Sequence, residues 1–360
     1  MRKILIDAMM IKRQNTGLGV YACEVLSRLL PKLIDKYEVT VLCTDKALIE
    51  KTIGLDNIQY IEISVDNAFK RELSVGRYVY KHREYDLFYS LSQHGFPWLK
   101  MKEIITVHDI MPRLYPKGRI HQYLYYIMFL PLVINSLRCV ITVSESTARD
   151  IKKFYSCPNV EVVYNGTSLP NYKKSSTPWH STHRKQYVTV GVHYPYKNLH
   201  TLIELFIKDE RFSNRELVII GNSDNTYGRQ LKEQVQKANA WGQIKFTGYI
   251  SDIEKQEYIN SSYAMIYPSK YEGFGLPVLE SMAQGIPVAC SNSSSLPEVA
   301  GNAAVMFDPE DLNDMAEKIL MLDDESLCHQ LIARGFENIK LFTWEECANK
   351  IMGVIEDVLK

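Results

Sequence analysis

The sequence lacks a Cys-x-x-Cys pair, a His and Cys cluster at ligand spacing, and an Asp-x-Asp placed after a strand. Those absences leave no recognisable zinc site, no redox dithiol and no sequence signal for a divalent metal, so metal-free chemistry is the expectation. The seven cysteines, Cys23, Cys43, Cys139, Cys157, Cys290, Cys328 and Cys347, are scattered without a pairing pattern. They read as reduced, mostly buried thiols of a cytosolic protein. Met1-Arg-Lys runs straight into an apolar strand, so no signal peptide is expected. The longest apolar stretch, Tyr123 to Leu137, has 15 residues, contains Pro131 and Asn135, and lies between Arg119 and Arg138. It is too short to span a bilayer, and a buried helix is favoured over one lying in the interface, although its tyrosines keep the second option open. No internal repeat of short period occurs.

What is present is the composition of a soluble enzyme: 360 residues, 46% hydrophobic and 23% charged, enough for two domains. The formal net charge is zero, but residues 1–185 hold 27 Lys+Arg against 17 Asp+Glu and residues 186–360 hold 15 against 25. A basic first half fits an anionic partner, such as a phospholipid surface or a pyrophosphate-linked acceptor. Mutual attraction of two oppositely charged halves fits the same numbers.

Short apolar runs at residues 3–7, 38–43, 58–63, 86–90, 103–107, 139–143 and 160–163 alternate with helical stretches. A second alternation runs through 187–190, 217–220, 244–246, 264–267, 287–289 and 304–307, and the chain ends in helices near 311–321, 325–339 and 343–359. Continuous apolar runs separated by helices predict parallel sheets covered on both faces. The fold class is therefore α/β, with two doubly wound, Rossmann-like domains at 1–168 and 187–342 joined by a linker at 169–186, within a stretch from Asn165 to Gln186 that brings Gly, Ser, Thr, Pro and Lys with little apolar content. Ligands of such sheets sit at the carboxyl ends of the strands.

The most informative stretch is Tyr267-Pro-Ser-Lys-Tyr-Glu-Gly-Phe-Gly-Leu-Pro-Val-Leu-Glu-Ser-Met-Ala-Gln-Gly-Ile-Pro-Val-Ala-Cys290. Gly273 and Gly275 allow a tight path, Pro277 suits the first turn of a helix, and Gly285 ends it. A helix starting near Gly275 directs unpaired N–H groups at the ligand, which favours a phosphate. Glu280 follows Leu276 by four residues and so lies on the face above the first turn. A carboxylate there does not help a phosphate, and its expected task is to accept hydrogen bonds from a ribose diol. Glu272, in the preceding loop, is left for the far end of the ligand.

The run Glu272-Gly-Phe-Gly-Leu-Pro-Val-Leu-Glu280 resembles the nucleotide-sugar motif of the family 4 retaining glycosyltransferases of GT-B fold, two glutamates separated by seven residues. Ser294-Ser-Leu-Pro-Glu-Val-Ala-Gly301 and Val305-Met-Phe-Asp-Pro309 are similar to the same family, and the likeness covers nearly the whole chain. It implies two domains facing across a cleft: an acceptor-binding first domain, a nucleotide-sugar-binding second domain, and a last helix, 343–360, returning to the first. It also implies roles. Lys197, in Gly191-Val-His-Tyr-Pro-Tyr-Lys-Asn198, would neutralise the leaving diphosphate, although the family's Arg or small polar residue five positions earlier is replaced by Val192. Gly17 and Gly19, in Gly17-Leu-Gly19-Val-Tyr-Ala22, would reach over the donor phosphates or the acceptor. His108 of Thr106-Val-His-Asp-Ile110 would approach the donor sugar, with Asp109 and Ser144 toward the acceptor. Gly221, Gly248 and Tyr249 would line the base pocket, while Gly273, Phe274, Gly275 and Leu276 would serve the sugar and phosphates by backbone groups.

The resemblance thus implies transfer of a hexose, mannose favoured, from GDP-mannose or a UDP-sugar to a glycan or polyprenyl-pyrophosphate-linked acceptor in cell-surface polysaccharide synthesis. No nucleophile is evident, so a same-face displacement with the leaving phosphate as base is expected. No cofactor and no nucleic acid are expected, and the location is cytoplasmic, with peripheral contact at the inner face of the membrane left open. Two alternatives stand. A sugar-nucleotide epimerase can share the fold, and Gly-x-Gly-x-x-Ala at Gly17 loosely fits a nicotinamide oxidoreductase, though about nine residues separate it from the end of the first strand.

Overall fold

The computed structural model describes residues 1–12, 17–55, 58–64, 68–157, 159–167, 179 and 185–360. The chain divides into two compact units: Met1–Gly166 with Thr343–Lys360, and Thr167–Phe342. Almost all of the linker anticipated at 169–186, and residues 13–16 before Gly17, lie outside the described residues.

The first unit holds a seven-stranded sheet: β1 (Lys3–Asp7), β2 (Glu38–Cys43), β3 (Gln59–Glu62), β4 (Leu87–Ser90), β5 (Lys102–Val107), β6 (Cys139–Thr142) and β7 (Val160–Val162). Its order is β3-β2-β1-β4-β5-β6-β7, with every pairing parallel. Ile4, Leu5 and Ile6 of β1 are fully buried. A strand covered on both faces has no polar side to alternate, which is why these runs are continuously apolar.

The last helix, Trp344–Leu359, belongs to this unit. Thr343 caps it by accepting from the Glu346 N–H, and Cys347, Ala348, Ile351, Met352 and Ile355 form its buried stripe. It packs beside the helix Gly17–Ile34, with Lys32–Glu345 and Lys36–Glu356 ion pairs at 2.7 Å and the Arg2 guanidinium donating to the Leu359 carbonyl. Both ion pairs are exposed, so they set register more than stability. Gly166 is required here, because a Cβ would stand 2.1 Å from the Trp344 nitrogen.

The second unit holds a six-stranded parallel sheet of β8 (Gln186–Val190), β9 (Glu216–Ile220), β10 (Ile244–Gly248), β11 (Ala264–Tyr267), β12 (Val288–Ser291) and β13 (Val305–Phe307). The order is β10-β9-β8-β11-β12-β13. Both sheets reverse direction of growth beside their first strand, at β1/β4 and at β8/β11, and such switch points open a crevice at the carboxyl ends of the strands.

One expectation needs correction. The stretch from Tyr123 is not a buried helix: Ile120–Leu124 and Leu130–Ile134 are α-helical, Tyr125–Phe129 is a π-turn, and only one face is buried. Pro131 has no N–H to give the preceding turn, and the ladder widens so that Leu130 N–H reaches Tyr125 O. Ile120, Leu124, Met128 and Leu132 are left exposed. Among the described residues no helix is long and apolar enough to cross a membrane. All seven cysteines are unbridged, five of them buried.

Candidate active site

The switch point of the second sheet brings two loops together. The first leaves β8 at Gly191, whose φ of 101° is a left-handed conformation that favours glycine; an added Cβ would lie 3.4 Å from Lys197 Cε. After the 3-10 turn Pro195–Lys197, Asn198 is itself left-handed and buried, and its amide donates to Pro309 O at 2.8 Å. The second loop leaves β11 at Tyr267. Lys270 N–H donates to Tyr196 O at 2.8 Å, tying the loops to each other.

Lys197 and Glu272 meet at this junction. The ammonium donates to Glu272 Oε1 at 2.7 Å and to Tyr267 Oη at 3.1 Å, and both partners of the ion pair are largely buried. Burial works against the charge on Lys197, but the Glu272 carboxylate and Tyr267 outweigh it and its pKa is raised. Burial and the neighbouring carboxylate push Tyr267 up as well, so its hydroxyl stays protonated. The Glu272 backbone is stapled from the other side: its N–H donates to Ser294 Oγ at 3.1 Å, and its carbonyl accepts from Ser294 Oγ at 2.6 Å and Ser295 Oγ at 3.1 Å. Ser295 Oγ also donates to Phe274 O at 2.7 Å.

Gly273, Phe274 and Gly275 carry this loop into the helix Leu276–Ala283, with Pro277 in its first turn. Gly275 has φ 118°, and a Cβ on it would come within 2.7 Å of Leu296 Cδ2. No side chain caps this helix start; Pro277 has no N–H and the Val278 N–H turns back to Gly275 O at 3.0 Å, so the amides at Gly275 and Leu276 are the ones a helix start offers to a ligand. Glu280 lies one turn on. Its two oxygens are 3.2 and 3.1 Å from Lys255 Nζ, a residue of the helix Asp252–Asn260. Burial lowers the Lys255 pKa, while Glu280 and Asp252 raise it, with a net rise.

Gly221 and Gly248 are also brought together: Gly221 N–H donates to Gly248 O at 3.2 Å, with φ of 136° and 70°. Tyr249, the next residue, is exposed. Val192, standing where the resemblance would place a cation or a small polar residue, is fully buried, and its Cγ2 would be 3.3 Å from a Cβ on Gly221.

In the first unit, Gly17 and Gly19 open the helix Gly17–Ile34, and Tyr21 one turn on lies edge to face with His108, centroids 4.5 Å apart. His108 follows β5 and is buried; its Nε2 is 2.9 Å from Leu91 O. A carbonyl only accepts, so Nε2 carries the hydrogen and Nδ1 keeps its lone pair. Burial outweighs that contact and lowers the His108 pKa to about 4, leaving the ring neutral. Ser144 caps the helix Glu145–Phe154 through the Thr147 N–H, and Thr147 Oγ1 donates to His108 O at 3.2 Å. Ser144 therefore reaches His108 through Thr147. Asp109 Oδ1 accepts from Met111 N–H at 2.8 Å and shapes its own turn.

Sequence reasoning missed Tyr267, Lys255 and the function of the Ser294-Ser295 pair. Tyr267 ends a strand at the switch point, a position that could have flagged it. Nothing in the spacing distinguishes Lys255 from any helical surface lysine. Among the described residues no group of three or more His, Cys, Asp or Glu is placed to hold a metal ion.

Comparison with known proteins bears on both units. A family described as glycosyltransferase family 4 matches residues 16–169, and one described as glycosyl transferases group 1 matches residues 174–338. The O-antigen chain mannosyltransferase B of Escherichia coli is 27% identical over 97% of this chain and 98% of its own length. The O-antigen chain mannosyltransferase RfbU of Salmonella typhimurium is 29% identical over 69% of this chain and 70% of its own. The structure of Anabaena HepE in complex with UDP and glucose superposes with a TM-score of 0.76, covering 99% of this chain and 100% of that one at 18% identity, a likeness of fold. Two doubly wound sheets, a last helix returned to the first of them, and family matches over both halves place this chain among the GT-B glycosyltransferases of family 4, group 1.

Proposed function

We propose that the chain moves a hexosyl group, mannose favoured, from a nucleoside-diphosphate sugar to a glycan or polyprenyl-diphosphate-linked acceptor in cell-surface polysaccharide synthesis, with retention of configuration. The observation that carries this reading is the Lys197–Glu272 pair at the switch point of the second sheet, beside an uncapped helix start. The O-antigen mannosyltransferases related to it support the choice of sugar and pathway class.

In this reading Lys197 and the amides at Gly275 and Leu276 meet the charge that grows on the diphosphate as its bond to the anomeric carbon breaks. That compensation is assigned to them rather than to a divalent ion. Glu272 takes the sugar hydroxyls, and Glu280 takes the ribose diol. The acceptor hydroxyl attacks on the face the diphosphate leaves, and its proton passes to the departing phosphate oxygen. His108, neutral with Nδ1 unprotonated, serves as a hydrogen-bond acceptor and not as an acid. Asp109 and Ser144 are assigned to shaping the acceptor side through the turns they hold. The enzyme works at the inner face of the membrane, where such acceptors are held.

The test is a donor panel of GDP-mannose, UDP-glucose and UDP-galactose with a lipid-linked acceptor, with and without EDTA, and anomeric assignment of the product by NMR. Transfer from GDP-mannose with the donor's anomeric configuration kept, insensitive to EDTA, is expected. An inverted product, or an epimer formed from donor alone, would overturn the reading.

A further inference from the structure

His108 is assigned to the donor sugar, and the first unit surrounds it with groups that the reaction does not otherwise use. Its Nε2–H makes a hydrogen bond to Leu91 O at 2.9 Å. One such bond leaves a flat ring free to tilt, because the torsion that turns an imidazole has broad, two-fold preferences. The direction of the Nδ1 lone pair therefore depends on what packs against the ring.

Tyr21 does that packing. It is fully buried and meets the imidazole at 85°, with ring centroids 4.5 Å apart. Tyr21 is itself fixed at both ends. Its hydroxyl lies 3.5 Å from Tyr89 Oη of β4 and 3.5 Å from Thr106 Oγ1 of β5, which are 3.1 Å from each other. Its ring meets Trp344 at 63°, with centroids 6.0 Å apart. Both contacts are of the edge-to-face kind that aromatic rings prefer. Trp344 is the first residue of the last helix and is buried, and Gly166 runs so close to its backbone nitrogen that any side chain there would collide. A line of contacts thus runs from Gly166 through Trp344 and Tyr21 to His108, all within the first unit.

Charge does not hold the imidazole. Burial raises the pKa of the Tyr21 and Tyr89 hydroxyls well above the ordinary value, and it pushes the thiol of Cys347, in the first turn of the last helix, up to about 12. All three groups are neutral at physiological pH. Asp109, next in the chain, gives an oxygen to the Met111 N–H at 2.8 Å. What remains is shape. We infer that Tyr21 and Trp344 are positioning residues for His108: Trp344 backs the Tyr21 ring, and Tyr21 holds the imidazole plane and so the direction of its Nδ1 lone pair. The inference rests on the role given to His108 above and extends that site to the last helix.

The experiment compares the full chain as wild type, Tyr21→Phe, Tyr21→Leu, Trp344→Leu and His108→Gln, with circular dichroism to check folding. The first readout needs no donor: nitrogen NMR of histidine-labelled protein, the His108 signals being those lost in His108→Gln. Wild type and Tyr21→Phe, which keeps the ring, should show a single neutral Nε2–H tautomer between about pH 5 and 8. Tyr21→Leu opens space beside the imidazole, and its His108 should show mixed tautomers and titrate inside that window. Trp344→Leu should change in the same direction by less, and it carries the test if Tyr21→Leu does not fold. The second readout is transfer. Tyr21→Leu should lower kcat about tenfold with donor KM within about twofold and bring an inflection into the rate profile, and Tyr21→Phe should recover most of that rate. Unaltered His108 signals in the folded Tyr21→Leu and Trp344→Leu variants, or equal losses in Tyr21→Phe and Tyr21→Leu, would overturn the inference. Loosening of the imidazole in Tyr21→Leu together with wild-type transfer by His108→Gln would leave the positioning standing and refute the role of His108.

Discussion

Lys197 and Glu272, 75 residues apart in sequence, meet at 2.7 Å because the loops after β8 and β11 leave adjacent strands at the switch point of the sheet. The pair holds a charged ammonium in a largely buried position. Removing the cation should damage the chemistry and also leave the buried Glu272 carboxylate without its ammonium, so thermal unfolding of the variant is measured beside its kinetics. Lys197→Met is expected to lower kcat/KM by about 10²–10³-fold, the scale of losing one positioned group that stabilises transition-state charge. Lys197→Arg should recover part of that loss, and steady-state kinetics on both variants checks it.

Glu280 has two partners in this account, Lys255 in the protein and the ribose diol in the ligand. Glu280→Ala should weaken donor binding at least about tenfold and lower stability by about 1–3 kcal/mol, because the largely buried Lys255 keeps only the exposed Asp252 carboxylate at 3.4 Å. Lys255→Met added to it should restore stability but not binding. Urea unfolding and calorimetric titration with donor separate the two effects.

His108 predicts a pH dependence of known sign. Its folded pKa of about 4 lies below the ordinary 6.5, so the unfolded chain takes up a proton that the folded chain refuses. The contribution is complete above pH 6.5 and is lost as the pH falls toward 4, on the order of 3 kcal/mol. His108→Gln should flatten the stability profile over that window in urea titrations. The wild-type rate profile should show no His108 inflection between pH 5 and 8.

Gly275 is constrained by both conformation and space. Gly275→Ala should cost about 1–3 kcal/mol, since alanine meets a left-handed backbone and the Leu296 methyl together. Thermal unfolding measures the loss, and Leu296→Ala should relieve the steric part only.

Much of this was legible in the sequence, for specific reasons. The buried parallel strands announced themselves because both faces are covered, so Ile4 to Ile6 or Ala264 to Tyr267 read as unbroken apolar runs. The start of the helix at Leu276 was legible because glycine and proline punctuate it. What spacing could not supply was partnership across the fold. Sequence position alone gives Glu272 and Lys197 separate tasks, and only tertiary structure joins them. Lys255 looks like any surface lysine until the helix Asp252–Asn260 is laid against Glu280. The segment around Tyr125 misled by composition: apolar content alone does not tell a buried helix from one whose outer stripe is also apolar.

The most direct test of the central claim is calorimetric titration of the wild type, Glu272→Gln and Glu280→Gln with intact GDP-mannose and with GDP. Glu272→Gln should lose affinity for the sugar nucleotide while keeping its affinity for GDP, and Glu280→Gln should lose affinity for both. Wild-type affinities in both variants, or an equal loss of GDP binding in Glu272→Gln, would contradict the placement of sugar and ribose at the two ends of this motif.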